Sequence, residues 1–373
     1  MRTKGVARRR RLAIRGAALL AGAAIVWVVM LIHDDRDMSL FSTAELATAT
    51  AAIDSAVPGA LAAEQVPGAA VAAVQDGTVV WSQGYGVVTP GGEAVTASTV
   101  FQVGSISKPI AAATLLGLAD DGLLDLDAPV STLVRSWPLP SHWPDGDGVT
   151  VRRLLSHTAG MSQPGYLGLD PGQPLPTTAE SLNGATTGSA VTQKQPSGTY
   201  AYSGGGYTLA QLVAEEATGE SFGELASRYV FTPIGMDSTG YACSQTTGVG
   251  SAWAAGHDNH GKPTVHYRYA EMAAAGLCST ADDLGRFAIW LGSDDPRAEL
   301  MRTASGGTDK QYGLGVQIYD QHGTTTAGHQ GVNRGFHAQL LVNPEDDVAL
   351  VVVTNGDNGD AVIEAVLSAW HGA

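Results

Sequence analysis

"VFQVGSISKPI", residues 100–110, packs two serines, a lysine and a proline into one short run. Pro109 sets the reading. A proline is tolerated only in the first turn of a helix, where backbone N–H groups lack partners in any case. The stretch "PIAAATLLGLADDG" that it opens has helical apolar spacing and runs to a glycine. The helix is therefore expected to begin near Ser105, with Ser105 and Lys108 one turn apart on one face. A serine there meets the positive end of the helix dipole and free N–H groups, which would stabilise an oxyanion beside it. The same field disfavours the ammonium form of Lys108, and a neutral lysine beside a hydroxyl is a usable base. A helix cap next to a solvated lysine is the plain alternative, and an isolated S-x-x-K does not separate the two.

Around this stretch lies a chain of 373 residues, 44% hydrophobic and 15% charged, enough for one two-lobed unit or two domains. Its 47 glycines follow no fixed period, which excludes collagen-like and solenoid folds. The net charge is −15, but residues 1–37 hold eight Lys/Arg and three Asp, a local +5 that leaves −20 for residues 38–373. A body this acidic repels phosphate backbones, and a nucleic-acid partner is not expected.

Residues 1–37 read as a unit separate from the body, 38–373. A basic segment with Arg8 to Arg11 and Arg15 precedes the uncharged run "GAALLAGAAIVWVVMLI", Gly16 to Ile32. That length sits at the short end of the roughly 17–25 residues that cross a bilayer as a helix. The arginines should stay cytoplasmic and send the body outside. A cleaved signal peptide is the rival reading, but "HDDRDM" after the apolar run offers no small-x-small site. The expectation is a single-pass anchor in the cell membrane with an extracytoplasmic body. Cys243 and Cys278 both fall in that body, where an oxidising compartment permits a disulfide and two separate buried thiols remain the alternative.

Strands occupy both ends of the body. "GAAVAAVQDGTVVWSQGYGVV" reads as a hairpin turning at Asp76-Gly77. "YGLGVQIYD", "RGFHAQLLVNP" and "DVALVVVTNG" are further strands, and "GDAVIEAVLSAWHG" a closing helix. "STAELATATAAIDSAVPGAL" is a helix with a Ser/Thr cap and Glu45 in its first turn. The middle has helical spacing in "AAATLLGLADDG", "TLAQLVAEEATG" and "STADDLGRFAIWLG", separated by long Pro/Gly/Thr loops such as "SQPGYLGLDPGQPLPTTAESLNGATTGS". The expected fold class is α/β (α+β): an antiparallel sheet built from both termini and flanked by helices, with a mainly helical lobe inserted and a cleft between the lobes.

Two further stretches change the weight of the S-x-x-K pair. "PSGTYAYSGGGYTLA" places Tyr202-Ser203 in a Gly-rich turn before a helix, and "TTAGHQGVNRGF" places His329-Gln330-Gly331 on a strand. In this order, S-x-x-K at Ser105 to Lys108, Y-S-x at Tyr202 to Gly204 and H-x-G at His329 to Gly331 resemble the serine penicillin-binding and β-lactamase family. The resemblance is to its branch of class C β-lactamases, D,D-carboxypeptidases, esterases and D-aminopeptidases. "LLSHTAGM", "GLCSTADDLGRFA" and "YGLGVQI" join the motifs, and the resemblance spans roughly residues 45–370.

The resemblance implies a β-lactamase/transpeptidase-like fold and a serine hydrolase that needs neither cofactor nor metal. Its substrate would be a small molecule or peptide: a cell-wall peptide, an ester or a β-lactam. Ser105 is the implied nucleophile. Lys108 takes its proton or tunes the base that does, and Tyr202 is the second acid/base. The N–H groups of Ser105 and Val332 form the oxyanion hole, Gly331 admits substrate to the strand, His329 lines the opposite wall, and Ser203 sits on the substrate side. Both Lys108 and Tyr202 ordinarily titrate near 10, so a base at neutral pH requires a shift of roughly three units; a lysinium beside a tyrosinate would provide it for the tyrosine.

Two departures bear on substrate. The family often has Asn where Gly204 stands, and Lys-Thr-Gly where His329-Gln330-Gly331 stands. A mostly neutral histidine lacks the fixed charge that binds a substrate carboxylate, so uncharged esters and amides gain weight. Arg334 restores carboxylate binding if it points into the cleft; otherwise it is a solvated edge residue.

Three other readings compete. Ala201 to Gly205 also fits A-x-S-x-G, with Ser203 attacking and His329 as base, but "TQKQPSGTY" provides no buried strand before it. Residues His257, His260 and His266 suggest a metal site, but the stretch is loop-like and holds no Glu at ligand spacing. A catalytically inactive binding protein is the third, and the joint presence of Ser105, Lys108 and Tyr202 argues against it. His157 in "LLSHTAGM" is expected to hydrogen-bond a helix end.

Overall fold

The computed structural model describes residues 46–139, 143, 148–241, 243, 252–305, 312–321 and 324–372. The expected anchor and Glu45 lie outside the described residues. Strand β1 (Gly68–Gln75) turns through Asp76-Gly77, both at positive φ, into β2 (Thr78–Gly86). That is the mirror-image turn an Asp-Gly pair favours because it matches the twist of the strands. Strands β3 (Phe101–Gln102) and β4 (Cys278–Ser279) pair with each other in a separate short ladder. Strands β5 (Gln317–Gln321), β6 (Thr324–Asn333), β7 (Phe336–Asn343) and β8 (Val348–Thr354) complete an antiparallel six-stranded sheet in the order β2-β1-β8-β7-β6-β5. The first and last strands of the described chain, β1 and β8, thus pair within the sheet.

Side chains on successive strand residues leave by opposite faces. Ala69, Val71 and Ala73 join Val352 and Leu350 under two terminal helices, Leu46–Glu64 and Gly359–His371. The first of these is long and apolar enough to span a bilayer by composition. Its buried residues, Ala49, Ile53, Val57 and Leu61, form an i, i+4 stripe in the same core as Val362, Val366 and Trp370. The alternate residues of β1, Ala70, Ala72 and Val74, face the other core, shared with Leu284 and Phe287 of helix Ala281–Gly292. That helix packs on the sheet rather than in the inserted lobe where its position in the chain had suggested it belonged. Thr280 caps its start by accepting from Asp283 N.

The inserted lobe is built around helix Ser107–Asp120, buried from Ser107 through Leu118, and helix Gly204–Thr218, which ends at left-handed Gly219. A helix apolar on all sides is one enclosed by its neighbours. The long loop between these helices holds a one-turn helix, Thr178–Leu182, with Thr177 and Glu180 in a reciprocal capping box. Its "PTTAE" run carries the T-x-x-E signature of such a box, which the surrounding prolines and glycines obscured. Cys243 and Cys278 form a disulfide with Cα atoms 5.8 Å apart, tying the chain to β4, which pairs with β3.

Candidate active site

Between Gln102 and helix Ser107–Asp120 the chain makes one 3₁₀ turn, Gly104–Ile106, and Ser105 lies in it. The α-helix proper begins two residues later than the sequence suggested, and Pro109 still falls in its first turn. Two glycines allow this turn to meet β6. Gly104 has φ +50, and a Cβ there would stand 2.6 Å from Val332 N; a Cβ on Gly331 would stand 1.9 Å from Val103 O. No side chain fits at either place, so backbone lies on backbone.

β5 pairs with β6 only as far as Gly328. The β6–β7 hairpin closes through Arg334-Gly335, with Asn333 opposite Phe336. In an antiparallel ladder the residue next to a bonded pair turns its N–H the other way. Val332 therefore directs its N–H away from β7, toward the turn that holds Ser105.

Lys108 is 1% exposed and its Nζ lies 2.9 Å from Ser105 Oγ, while it donates to Ala274 O at 2.8 Å. Burial pushes its ammonium down to about 7. The Tyr202 ring stands with its centre 4.9 Å from that nitrogen, and Tyr207 at 5.6 Å. Burial raises the Tyr202 phenol well above its usual range, and its hydrogen bond with Ser105 only partly opposes this. Loss of solvent disfavours charge on both groups. A tyrosinate is disfavoured here, so Tyr202 stands as a neutral phenol, beside an amine that exchanges its proton near neutral pH.

His329 is 3% exposed, and both ring nitrogens are engaged. Nδ1 donates to Gln330 O, and Nε2 accepts from the Tyr312 hydroxyl at 3.1 Å. Burial, with Lys108 nearby, pushes its imidazolium down to about 3. It has neither charge nor a spare nitrogen to offer a carboxylate. Arg334 is exposed at the hairpin tip, its guanidinium 4.7 Å from the centre of the Tyr267 ring.

Ser203 has a different task from the substrate-side one expected. It is 2% exposed and caps helix Gly204–Thr218: its Oγ accepts from Gly206 N at 2.9 Å and donates to Ser162 O at 2.5 Å. At Gly204, a Cβ would stand 3.1 Å from the Tyr166 ring and 3.2 Å from Pro164 O, so the loop fills the place of the family's asparagine side chain. His257, weighed as a metal ligand, is buried with Nδ1 on Asn355 O at 2.9 Å. Sequence reasoning passed over Tyr207, Tyr312 and the Ala274 carbonyl. The two tyrosines lay inside phrases already marked, "SGGGYTLA" and "YGLGVQI", but nothing in those phrases aims a ring at Lys108 or His329.

The profile of the family described as Beta-lactamase matches residues 53–369, and the chain belongs to that family of serine hydrolases. It is 28% identical to the unguisins hydrolase ungD' of Aspergillus campestris (strain IBT 28561), over 78% of this chain and 58% of that protein. It is 29% identical to penicillin-binding protein 4 of Amycolatopsis lactamdurans, over 78% and 81%. A D-aminopeptidase of Gluconobacter oxydans (strain 621H) is 26% identical over 89% of this chain and 62% of its own length. The chain thus spans less than two thirds of two of these relatives. Among solved structures, the octameric penicillin-binding protein homologue from Pyrococcus abyssi shares the fold, with TM-score 0.73 and 24% identity over 87% of this chain and 77% of that one.

Proposed function

We propose that this chain hydrolyses uncharged amides or esters through an acyl-enzyme on Ser105, with Lys108 as resting base and Tyr202 as the acid for the leaving group. The observation that carries the reading is the buried Lys108 amine 2.9 Å from Ser105 Oγ. As Oγ bonds to the substrate carbonyl carbon, Nζ takes its proton. The carbonyl oxygen gathers negative charge between the N–H groups of Ser105 and Val332, a stabilisation worth several kcal/mol in comparable sites, about 3 per donor. When the C–N or C–O bond breaks, the Tyr202 phenol protonates the departing atom and recovers a proton from Lys108. Water then attacks the acyl group with the same proton path run in reverse.

His329, neutral and fully engaged, supports substrates without a carboxylate on that side. D-amino-acid amides are the first to try, given the name of the Gluconobacter relative. Carboxylate-bearing D-Ala-D-Ala peptides and β-lactams are the second reading, which the exposed Arg334 favours. Mass spectrometry of the protein after incubation with esters, D-amino-acid amides, penicillins and D-Ala-D-Ala peptides decides. An adduct on a peptide other than the one holding Ser105 sinks the mechanism.

Residues 1–37 are part of the same proposal: a membrane anchor with the catalytic body outside. The basic flank, the apolar run and the missing cleavage site support it, and a disulfide suits an oxidising compartment. A native N-terminus near residue 35 would refute it.

A further inference from the structure

His157 belongs to none of the three motifs, yet it touches the chain on both sides of Tyr202. The N–H of Ala201 donates to the His157 carbonyl at 2.8 Å, and the N–H of Ser203 donates to His157 Nδ1 at 3.1 Å. Both donors flanking the tyrosine therefore end on one residue. The arrangement requires an unusual backbone: His157 sits at φ +58, in the left-handed region. That conformation lets its carbonyl and its own ring address the same strand of chain. The ring then packs against Tyr202 with centroids 4.2 Å apart, and against Tyr312 at 4.8 Å and Tyr207 at 5.2 Å. His157 is 2% exposed.

The tautomer follows from the donor. Nδ1 receives an N–H, so its lone pair is there and the ring proton is on Nε2, which is buried without a partner among the described residues. Protonating Nδ1 would set donor against donor and place a cation beside Lys108. Burial, with Lys108 and His329 close by, holds the imidazolium well below its usual range. His157 is thus a fixed neutral clamp.

We propose that His157 is the positioning residue for Tyr202: its carbonyl and Nδ1 fix the backbone on either side of the tyrosine, and its ring holds the phenol toward Ser105. This rests on the assignment of Ser105, Lys108 and Tyr202 above. His157→Phe keeps a ring and removes the Nδ1 acceptor. His157→Asn keeps an acceptor and a side chain tolerant of left-handed backbone, and removes the ring.

The test uses the full chain, with p-nitrophenyl acetate and D-alaninamide as probes and rates normalised to active sites titrated at Ser105. The expected result is a fall in kcat of about a hundredfold for His157→Phe and about tenfold for His157→Asn, with KM within about twofold. In a Tyr202→Phe background the same substitutions should cost almost nothing further, because the group they position is gone. A purely structural role would lower the rate by the same factor in both backgrounds, and that result overturns the proposal. So does a kcat within about twofold of wild type in either single variant. If His157→Phe does not fold, the Asn variant in the two backgrounds decides alone. Failure of Ser105 to acylate at all takes down the site assignment and this inference together, whereas normal acylation with unaffected His157 variants removes only the inference.

Discussion

Ser105 and Ser203 both stand just ahead of a buried helix, and the fold uses their hydroxyls in opposite ways. Ser203 Oγ accepts from Gly206 N and donates to Ser162 O, so both its bonding functions hold the chain in place. At the other turn the structural bonds fall on a neighbour: Ser107 Oγ donates to Gly104 O at 2.6 Å and accepts from Leu277 N at 3.0 Å. The Ser105 hydroxyl is left to Lys108 and Tyr202. On the proposed mechanism, Ser105 is free to act as nucleophile because Ser107 has taken over the capping work and a desolvated amine faces the Ser105 hydroxyl.

The hardest test of this contrast is the pair Ser105→Ala and Ser203→Ala. The first should abolish labelling by a fluorescent fluorophosphonate or penicillin, whichever labels the wild type, and reduce hydrolysis by about a thousandfold or more. The second should label normally. If the outcomes are exchanged, the contrast collapses and the A-x-S-x-G reading returns.

Next comes Lys108→Arg. A guanidinium cannot release its proton, so acylation per folded molecule should fall by about a thousandfold; a near wild-type rate would remove lysine from the mechanism. The same group sets the pH profile. Lys108 is a base only when neutral, and its amine titrates at about 7. Single-turnover acylation should rise with pH through that region and fall away below it, as the ammonium form accumulates. A flat profile from pH 5 to 8 would contradict a lysine base.

Ser203→Ala has a smaller consequence of its own: loss of a helix cap, about 1 kcal/mol of stability, read as a shift in thermal midpoint. Ser107→Ala should also remain labelled while losing stability. The smallest effect expected is at Arg334, where replacement by Ala should raise KM for a D-Ala-D-Ala peptide about fivefold, the size of a single exposed ion pair. No change would mark Arg334 as a surface residue packed on Tyr267.

The helix–loop–helix framework and the six-stranded sheet were largely legible because their causes are local. Asp76-Gly77 dictates a tight hairpin, β7 and β8 read as strands, and Pro109 places a helix start. The capping box at Thr177–Glu180 was equally local and was missed among prolines. Helix Ala281–Gly292 was recognised but assigned to the wrong layer, since spacing tells which face is apolar and not what covers it.

By itself the sequence determined the order and local placement of the candidate groups: Ser105 one turn from Lys108, Tyr202 before a helix, His329 and Gly331 on a strand. Burial was decided only by the tertiary structure, and burial determines their chemistry. Lys108 loses its water to Tyr202, Tyr207 and the helices around it, and so gives up its proton far more readily than a solvated lysine. His329 exhausts both nitrogens on Tyr312 and Gln330. His157, 45 residues before Tyr202, closes on both of its flanking N–H groups. Proton affinity depends on solvent and neighbours, and those come from segments far apart in the chain.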